Sequence, residues 1–93
     1  MTQVEVHDQP EAHRYVATVD GEQVGLAAYT LDGDVITFTH TEVDDSHAGE
    51  GIGSTIITTS LEDVRRRGLR VVPRCPFYEA WFDKHPEAAD LLA

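Results

Sequence analysis

The sequence lacks the features by which many small proteins are stabilised or directed to a membrane. Its single cysteine, Cys75, excludes an internal disulfide and a cysteine zinc cluster. No apolar run approaches the roughly 20 residues of a membrane-spanning helix, and residues 1–6 do not resemble a signal peptide. We therefore expect a cytoplasmic protein with no membrane partner, in which residues 1–93 form one domain around a thin core.

Positive charge is scarce as well. Seven Lys and Arg residues stand against 17 Asp and Glu residues, which gives a net charge of −10. This balance argues against binding to nucleic acid. Five of the seven basic residues lie within residues 65–74. The pairs Glu62–Arg66 and Asp63–Arg67 would account for this patch without a ligand, and contact with a ligand phosphate is the alternative interpretation.

Alternating apolar residues predict an antiparallel meander in the first half of the chain. We expect strands at residues 4–7, 13–19, 23–30 and 34–43. A turn is predicted at residues 8–10, and the Asp-Gly pairs at residues 20–21 and 32–33 are typical of tight hairpin turns. Strands joined by such short turns pair antiparallel.

The second half of the chain has a different period. Apolar residues now recur at helical spacing, at Ile57, Leu61 and Val64. Gly68 closes this helix, a short strand is predicted at residues 69–72, and Pro76 and Pro86 each begin a shorter helix. A strand–helix–strand connection is right-handed, so the strands at 34–43 and 69–72 should lie parallel. The predicted fold class is α+β, a meander followed by a β-α-β unit and short C-terminal helices.

Three glycines, Gly49, Gly51 and Gly53, alternate with other residues directly before the long helix. Glycine lets a backbone approach a ligand closely, and a helix N-terminus offers free N–H groups and a partial positive charge. We interpret this loop as a cradle for a pyrophosphate, with amides of residues 50–54 as donors. Ser54 would add a hydroxyl contact or satisfy a helix N–H. The alternative is a glycine-rich turn without a ligand.

The order of these elements, together with the glycine loop, resembles the Gcn5-related N-acetyltransferases. The segments HTEV from residue 40, PRCPF from residue 73 and HPE from residue 85 are similar to those of the minimal, single-domain acetyltransferase-like subgroup. The resemblance implies binding of acetyl-coenzyme A and acetyl transfer to an unidentified amine. One position departs from the pattern, because Ala48 stands where the family usually has Arg or Gln. We expect that change to weaken coenzyme binding without abolishing it.

The resemblance also implies where the coenzyme lies. The strand at residues 38–43 should offer main-chain contacts to the pantetheine arm, whose amides can pair like an added strand. The predicted coenzyme-binding residues are Thr41, Val43, Gly49, Glu50, Gly51, Ile52, Gly53, Ser54 and Phe77. No metal site is expected, since His7, His13 and His47 lack the spacing of metal ligands and are expected on the surface.

Three residues are candidates for the chemistry. Acetyl transfer to an amine needs a base that takes the ammonium proton, and His40 and Glu42 are the nearest candidates on one face of their strand. Cys75 stands next to Arg74 at a predicted helix start, which lowers a thiol pKa, so a thiolate there could accept acetyl or contact the thioester. The alternatives are a solvated Glu42, a partly buried and hydrogen-bonded His40, and a Cys75 that packs as a small hydrophobic residue.

Three functions remain open at this level. The first is an N-acetyltransferase in which the amine attacks the thioester directly. The second is a coenzyme A-binding module with little or no turnover, acting as a sensor or a partner-binding protein. The third, a structural domain without a ligand, is the least favoured. Neither the amine acceptor nor the oligomeric state follows from the sequence.

Overall fold

The computed structural model describes residues 4–47 and 49–93, and it contains the predicted antiparallel meander. The four strands are β1 (Val4–Gln9), β2 (Arg14–Val19), β3 (Glu22–Asp32) and β4 (Val35–Val43). Each pairs antiparallel with the next. One boundary prediction was wrong, because β1 continues through Gln9, where a turn was expected. A short 3₁₀ turn at Pro10–Ala12 then reverses the chain.

The second half forms the predicted β-α-β unit. Its elements are α1 (Ile52–Arg66), β5 (Arg70–Pro73), α2 (Pro76–Lys84) and a 3₁₀ segment (Pro86–Leu91). Strand β5 pairs parallel with β4, which completes a sheet of order β1-β2-β3-β4-β5. The fold is therefore the mixed α+β arrangement expected from the sequence. No helix in residues 4–47 and 49–93 combines the length and hydropathy required to cross a membrane.

Strands β4 and β5 stay together for only part of their length. Their ladder ends at the pair Phe38 and Pro73, and the amide of Cys75 then donates to the Phe38 carbonyl at 2.9 Å. Beyond this point β4 continues to Val43, paired with β3 on one side only among the described residues. The two strands therefore diverge, and one edge of β4 is left open beside the start of α1.

Both helices pack on the same face of the sheet. The Phe38 ring on β4 stacks on Tyr78 of α2, with centroids 4.0 Å apart and planes 7° apart. The Tyr78 hydroxyl lies 2.8 Å from the Ser60 hydroxyl of α1, and all three residues are buried. Ile56 and Val64 of α1 belong to the same core. These contacts hold α1, α2 and β4 together next to the point where β4 and β5 diverge.

A β-bulge decides which side chains of β4 face this core. The register shifts between Ala28 and Tyr29 of β3, so Phe38 pairs with Tyr29 and His40 pairs with Ala28, with Thr39 inserted between them. Simple alternation along a strand would place Phe38 and His40 on the same face. The bulge instead leaves Phe38 buried and His40 exposed.

Gly25 is a point of close approach between α1 and the sheet. A Cβ atom there would lie 3.0 Å from the Glu42 carbonyl oxygen and 3.1 Å from Cδ1 of Ile56. Because the first of these atoms belongs to the backbone, we expect Gly25→Ala to lower the free energy of unfolding by about 1–3 kcal/mol in urea titrations. Gly53→Ala is the matched control, since its Cβ would meet only Val43, at 3.9 Å. Equal stability of the two variants would contradict the tight contact.

Candidate functional site

A groove opens where β4 and β5 diverge. Its volume is about 640 Å³, and the residues that line it are Thr41, Glu42, Val43, His47, Gly49, Gly51, Ile52, Gly53, Ser54 and Phe77. They come from the end of β4, the glycine loop, the first turn of α1 and the first turn of α2. The groove therefore joins the open edge of a strand to the N-terminus of a 15-residue helix.

The glycine loop presents bare backbone to the groove. Gly49 and Gly51 have φ angles of 84° and 76°, a conformation that side chains other than glycine rarely adopt. Gly51 is the N-cap of α1 and supplies no side-chain cap, and the first intrahelical bond runs from Thr55 N–H to its carbonyl at 3.0 Å. The amides of residues 52–54 precede that bond and have no intrahelical acceptor. They form a site suited to an anion.

Glu50 was predicted to bind the coenzyme, but in the structure its amide and its carboxylate both contact His47. Its amide donates to the carbonyl of His47 at 3.2 Å, and its carboxylate lies 3.1 Å from Nδ1 of His47. Glu50 does not line the groove. Its two contacts with His47 lie within the loop, while the other eight predicted coenzyme-binding residues line the groove.

Apolar side chains form the rest of the groove wall. Ile52 is buried, Val43 packs against the core, and Thr41 is 7% exposed. Phe77 is 54% exposed, although it is a large hydrophobic side chain in the first turn of α2. The other aromatic residues of α2 are buried or half-buried, as expected for core residues. An exposed phenyl ring at the rim of a groove is an arrangement that a bound ligand would cover.

Cys75 lies behind the groove. It is the N-cap of α2, as predicted, but it is 1% exposed and is not among the lining residues. Its Sγ lies 3.1 Å from Oγ1 of Thr41, which does line the groove. A ligand in the groove therefore meets Thr41 first, and the surroundings of the thiol match the interpretation of a buried small residue.

His40 and Glu42 lie together on the exposed face of β4. Nε2 of His40 is 3.3 Å from Oε1 of Glu42, and the side chains are 60% and 63% exposed. The alternative of a partly buried His40 was therefore wrong. Glu42 lines both the groove and an adjoining acidic depression of about 360 Å³ that also includes Asp44 and Asp45. Of the two candidate bases, only Glu42 lines both the groove and the acidic depression.

His47 is a groove residue that the sequence interpretation missed. Its side chain is 24% exposed, and the adjacent Glu50 carboxylate raises the pKa of His47 above its ordinary value through their hydrogen bond. The backbone turn that carries it is held by Asp44, whose carboxylate accepts from the amide and the hydroxyl of Ser46. The sequence signal that could have identified His47 as a groove residue was its position two residues before Gly49. Ala48, the departure from the family pattern, lies outside the described residues.

Three arginines of the patch, Arg65, Arg66 and Arg67, lie at the other end of α1 from the groove. Arg66 pairs with Asp63 at 2.6 Å, so the predicted Glu62–Arg66 pair was wrong, whereas the Asp63–Arg67 pair is confirmed at 3.3 Å. A helix of 15 residues places these groups about 20 Å from the glycine loop. Arg66 and Arg67 therefore cannot contact a phosphate held there. Among the described residues, no cluster of His, Cys, Asp and Glu could hold a metal ion.

The family model of the GCN5-related N-acetyl-transferases matches residues 14–91, which include the glycine loop and every element from β2 onward. The chain belongs to this family. Members bind acetyl-coenzyme A and acetylate amines on proteins or small molecules. A comparison with curated proteins finds no match.

Solved structures share the acetyltransferase fold. A GCN5-like protein from Staphylococcus aureus, solved by NMR, has a TM-score of 0.74 and 20% identity over 100% of this chain and 91% of its own. The ribosomal-protein-S18-alanine N-acetyltransferase of Escherichia coli has a TM-score of 0.64 and 14% identity, over 78% of this chain and 66% of that chain. N-acetylglutamate synthase from Neisseria gonorrhoeae was solved with coenzyme A and N-acetyl-glutamate. It has a TM-score of 0.64 and 16% identity, over 88% of this chain and 22% of that chain. The chain thus spans only part of the two larger acetyltransferases.

Proposed function

We propose that the groove binds acetyl-coenzyme A. The observation that carries this proposal is the continuity between two surfaces, the open edge of β4 and the uncapped amides of residues 52–54. An extended pantetheine arm would pair with the strand edge, and the diphosphate would accept hydrogen bonds from the helix amides. Phe77 would cover the apolar part of the arm. On this proposal residues 1–93 act as a single acetyl-coenzyme A-binding domain.

We propose further that the protein transfers the acetyl group to an amine by direct attack. The amine nitrogen would bond to the thioester carbon as the carbon–sulfur bond breaks, and the released thiolate would take up the proton that the nitrogen loses when it becomes an amide. Before attack, the ammonium group would give its proton to the carboxylate of Glu42, a residue that lines both the groove and the acidic depression. His40, 3.3 Å away, holds that carboxylate in place. A main-chain N–H of β4 would polarise the carbonyl.

A coenzyme A-binding module with little turnover is the second candidate. Two observations favour it. Glu42 and His40 are both more than half exposed, so no closed pocket surrounds the amine. Cys75, the side chain that could have accepted the acetyl group, does not line the groove. A module of this kind would keep the groove and its ligand and lose only the chemical step.

Titration calorimetry with acetyl-coenzyme A, coenzyme A and pantetheine tests the binding proposal. We expect saturable binding of both coenzymes at one site per chain and much weaker binding of pantetheine, which lacks the diphosphate. Release of free thiol from acetyl-coenzyme A is then followed with a panel of polyamines, basic peptides and aminoglycosides. Turnover with any of them supports the enzyme, and binding without turnover supports the module. No binding of either coenzyme would leave only a structural domain.

A further inference from the structure

The groove contains very little positive charge for a ligand that carries a diphosphate. Among its lining residues within the described part of the chain, His47 is the only one whose side chain can be cationic. Glu42 brings a negative charge to the same space, and the whole chain carries a net charge of −10. The negative charge of the protein therefore opposes the diphosphate, whereas His47 and the N-terminus of α1 favour it.

The structure holds the His47 ring in a defined position. Its backbone amide donates to the Asp44 carbonyl at 2.9 Å, and its carbonyl accepts from the Glu50 amide at 3.2 Å. On the ring, Nδ1 lies 3.1 Å from the Glu50 carboxylate. Because Nδ1 is engaged in this way, Nε2 is the nitrogen left for a ligand, and protonation makes both nitrogens donors.

We propose that protonated His47 donates a hydrogen bond to the diphosphate of coenzyme A and thereby makes coenzyme binding depend on pH. This inference rests on the proposed function, since it concerns the same groove. A charge-assisted hydrogen bond of this type contributes about tenfold or more to affinity.

The sign of the pH dependence follows from the groups around the ring. The hydrogen bond to Glu50 is the largest effect and raises the pKa of His47. Desolvation of the ring, the next largest effect, lowers it, and the charges of Glu50, Asp44 and Glu22 raise it. A bound diphosphate adds negative charge and raises this pKa further. Affinity is therefore highest below the pKa of the free protein and falls as the pH rises toward the pKa of the complex.

The decisive measurement uses dephospho-coenzyme A, with calorimetry between about pH 5.5 and pH 8. The terminal phosphate of coenzyme A itself titrates near pH 6, whereas the diphosphate keeps a constant charge across this range. We expect the affinity of the wild-type protein to fall about tenfold as the pH rises, and the affinity for pantetheine to stay constant. NMR titration of the His47 ring should show a higher pKa in the complex than in the free protein.

Three variants separate a binding role from a structural one. His47→Gln should bind weakly at every pH. Glu50→Gln should keep the full low-pH affinity but move the fall to lower pH, because the carboxylate that raises the histidine pKa is gone. His7→Gln, an exposed position on β1 outside the groove, should behave like the wild type.

Three results would overturn the inference. If dephospho-coenzyme A binds with the same affinity at all pH values, or if the His47 pKa is equal in the free and bound protein, the inference fails and the proposed function stands. If neither coenzyme A nor dephospho-coenzyme A binds at any pH, the inference fails together with the proposed function.

Discussion

Replacing Glu42 with Gln should lower the rate of acetyl transfer by about 10²–10³-fold. Glutamine has nearly the shape of glutamate but cannot take the proton that an ammonium acceptor must lose before it attacks. Glu42 is the candidate base that lines both the groove and the acidic depression, and on the proposed function the thioester and the amine meet beside it. The rate is measured as thiol release at saturating acetyl-coenzyme A, with an amine that the wild-type protein uses.

Coenzyme affinity should be retained or rise slightly in Glu42→Gln, because the groove keeps its shape and loses one negative charge. Glu79→Gln makes the same change of charge at an exposed position of α2 outside the groove and should leave the rate unaltered. His40→Gln should cost less than Glu42→Gln, since His40 acts through the carboxylate that it contacts. A Glu42→Gln protein as fast as the wild type would show that another group takes the proton.

The same assay decides between direct attack and transfer through the thiol. Cys75→Ala should keep most of the wild-type rate, because the buried Sγ contacts Thr41 and does not line the groove. Loss of turnover in a folded Cys75→Ala protein, together with an acetylated Cys75 in the wild type by mass spectrometry, would instead establish a covalent intermediate.

The second large effect is expected at Gly53, where a leucine should weaken acetyl-coenzyme A binding by about 10–100-fold. Gly53 lines the groove, and a Cβ there meets nothing nearer than Val43, at 3.9 Å. The leucine side chain would fill the space that we assign to the diphosphate and keep it from the helix amides. Each hydrogen bond to a charged group is worth about 1.5–3 kcal/mol, and about 1.4 kcal/mol corresponds to a tenfold change in affinity.

Gly53 is a better test position than Gly51. The φ angle of 76° at Gly51 would strain any side chain, so loss of binding there could reflect a distorted loop. Gly53 is already inside α1, where leucine is a better helix former than glycine, and the variant should unfold at the same or a higher temperature. Thr58→Leu, exposed on the same helix and outside the groove, is the matched control. Unchanged affinity in folded Gly53→Leu would refute the cradle.

Much of the candidate site was predictable because its signals are local. Glycine spacing before an amphipathic segment is a property of a few consecutive residues, and eight of the nine predicted coenzyme-binding residues do line the groove. Glu50 is the exception, because its carboxylate turns to His47 instead. A pairing between two side chains within a loop depends on the backbone turn there, which residue types alone do not define.

The candidate chemistry was less predictable because it depends on packing between distant segments. The burial of Cys75 results from its contact with Thr41, which is 34 positions away in the chain. The exposure of His40 results from the bulge at Thr39, which a strict alternation of strand residues does not reveal. Glu42 lines the groove as well as the acidic depression because β5 separates from β4 after Phe38.

The sequence by itself determined the order of the elements, the parallel pairing of β4 with β5 and the family, because apolar periods, turn residues and glycine spacing act over short stretches of chain. Only the tertiary structure decided where the strands diverge, which face each side chain of β4 takes, and that His47 lines the groove and Cys75 does not. The face of the β4 side chains depends on a single inserted residue, the burial of Cys75 on its contact with Thr41, and the position of His47 on its bonds to Asp44 and Glu50. Those contacts that join distant parts of the chain exist only once the core has packed.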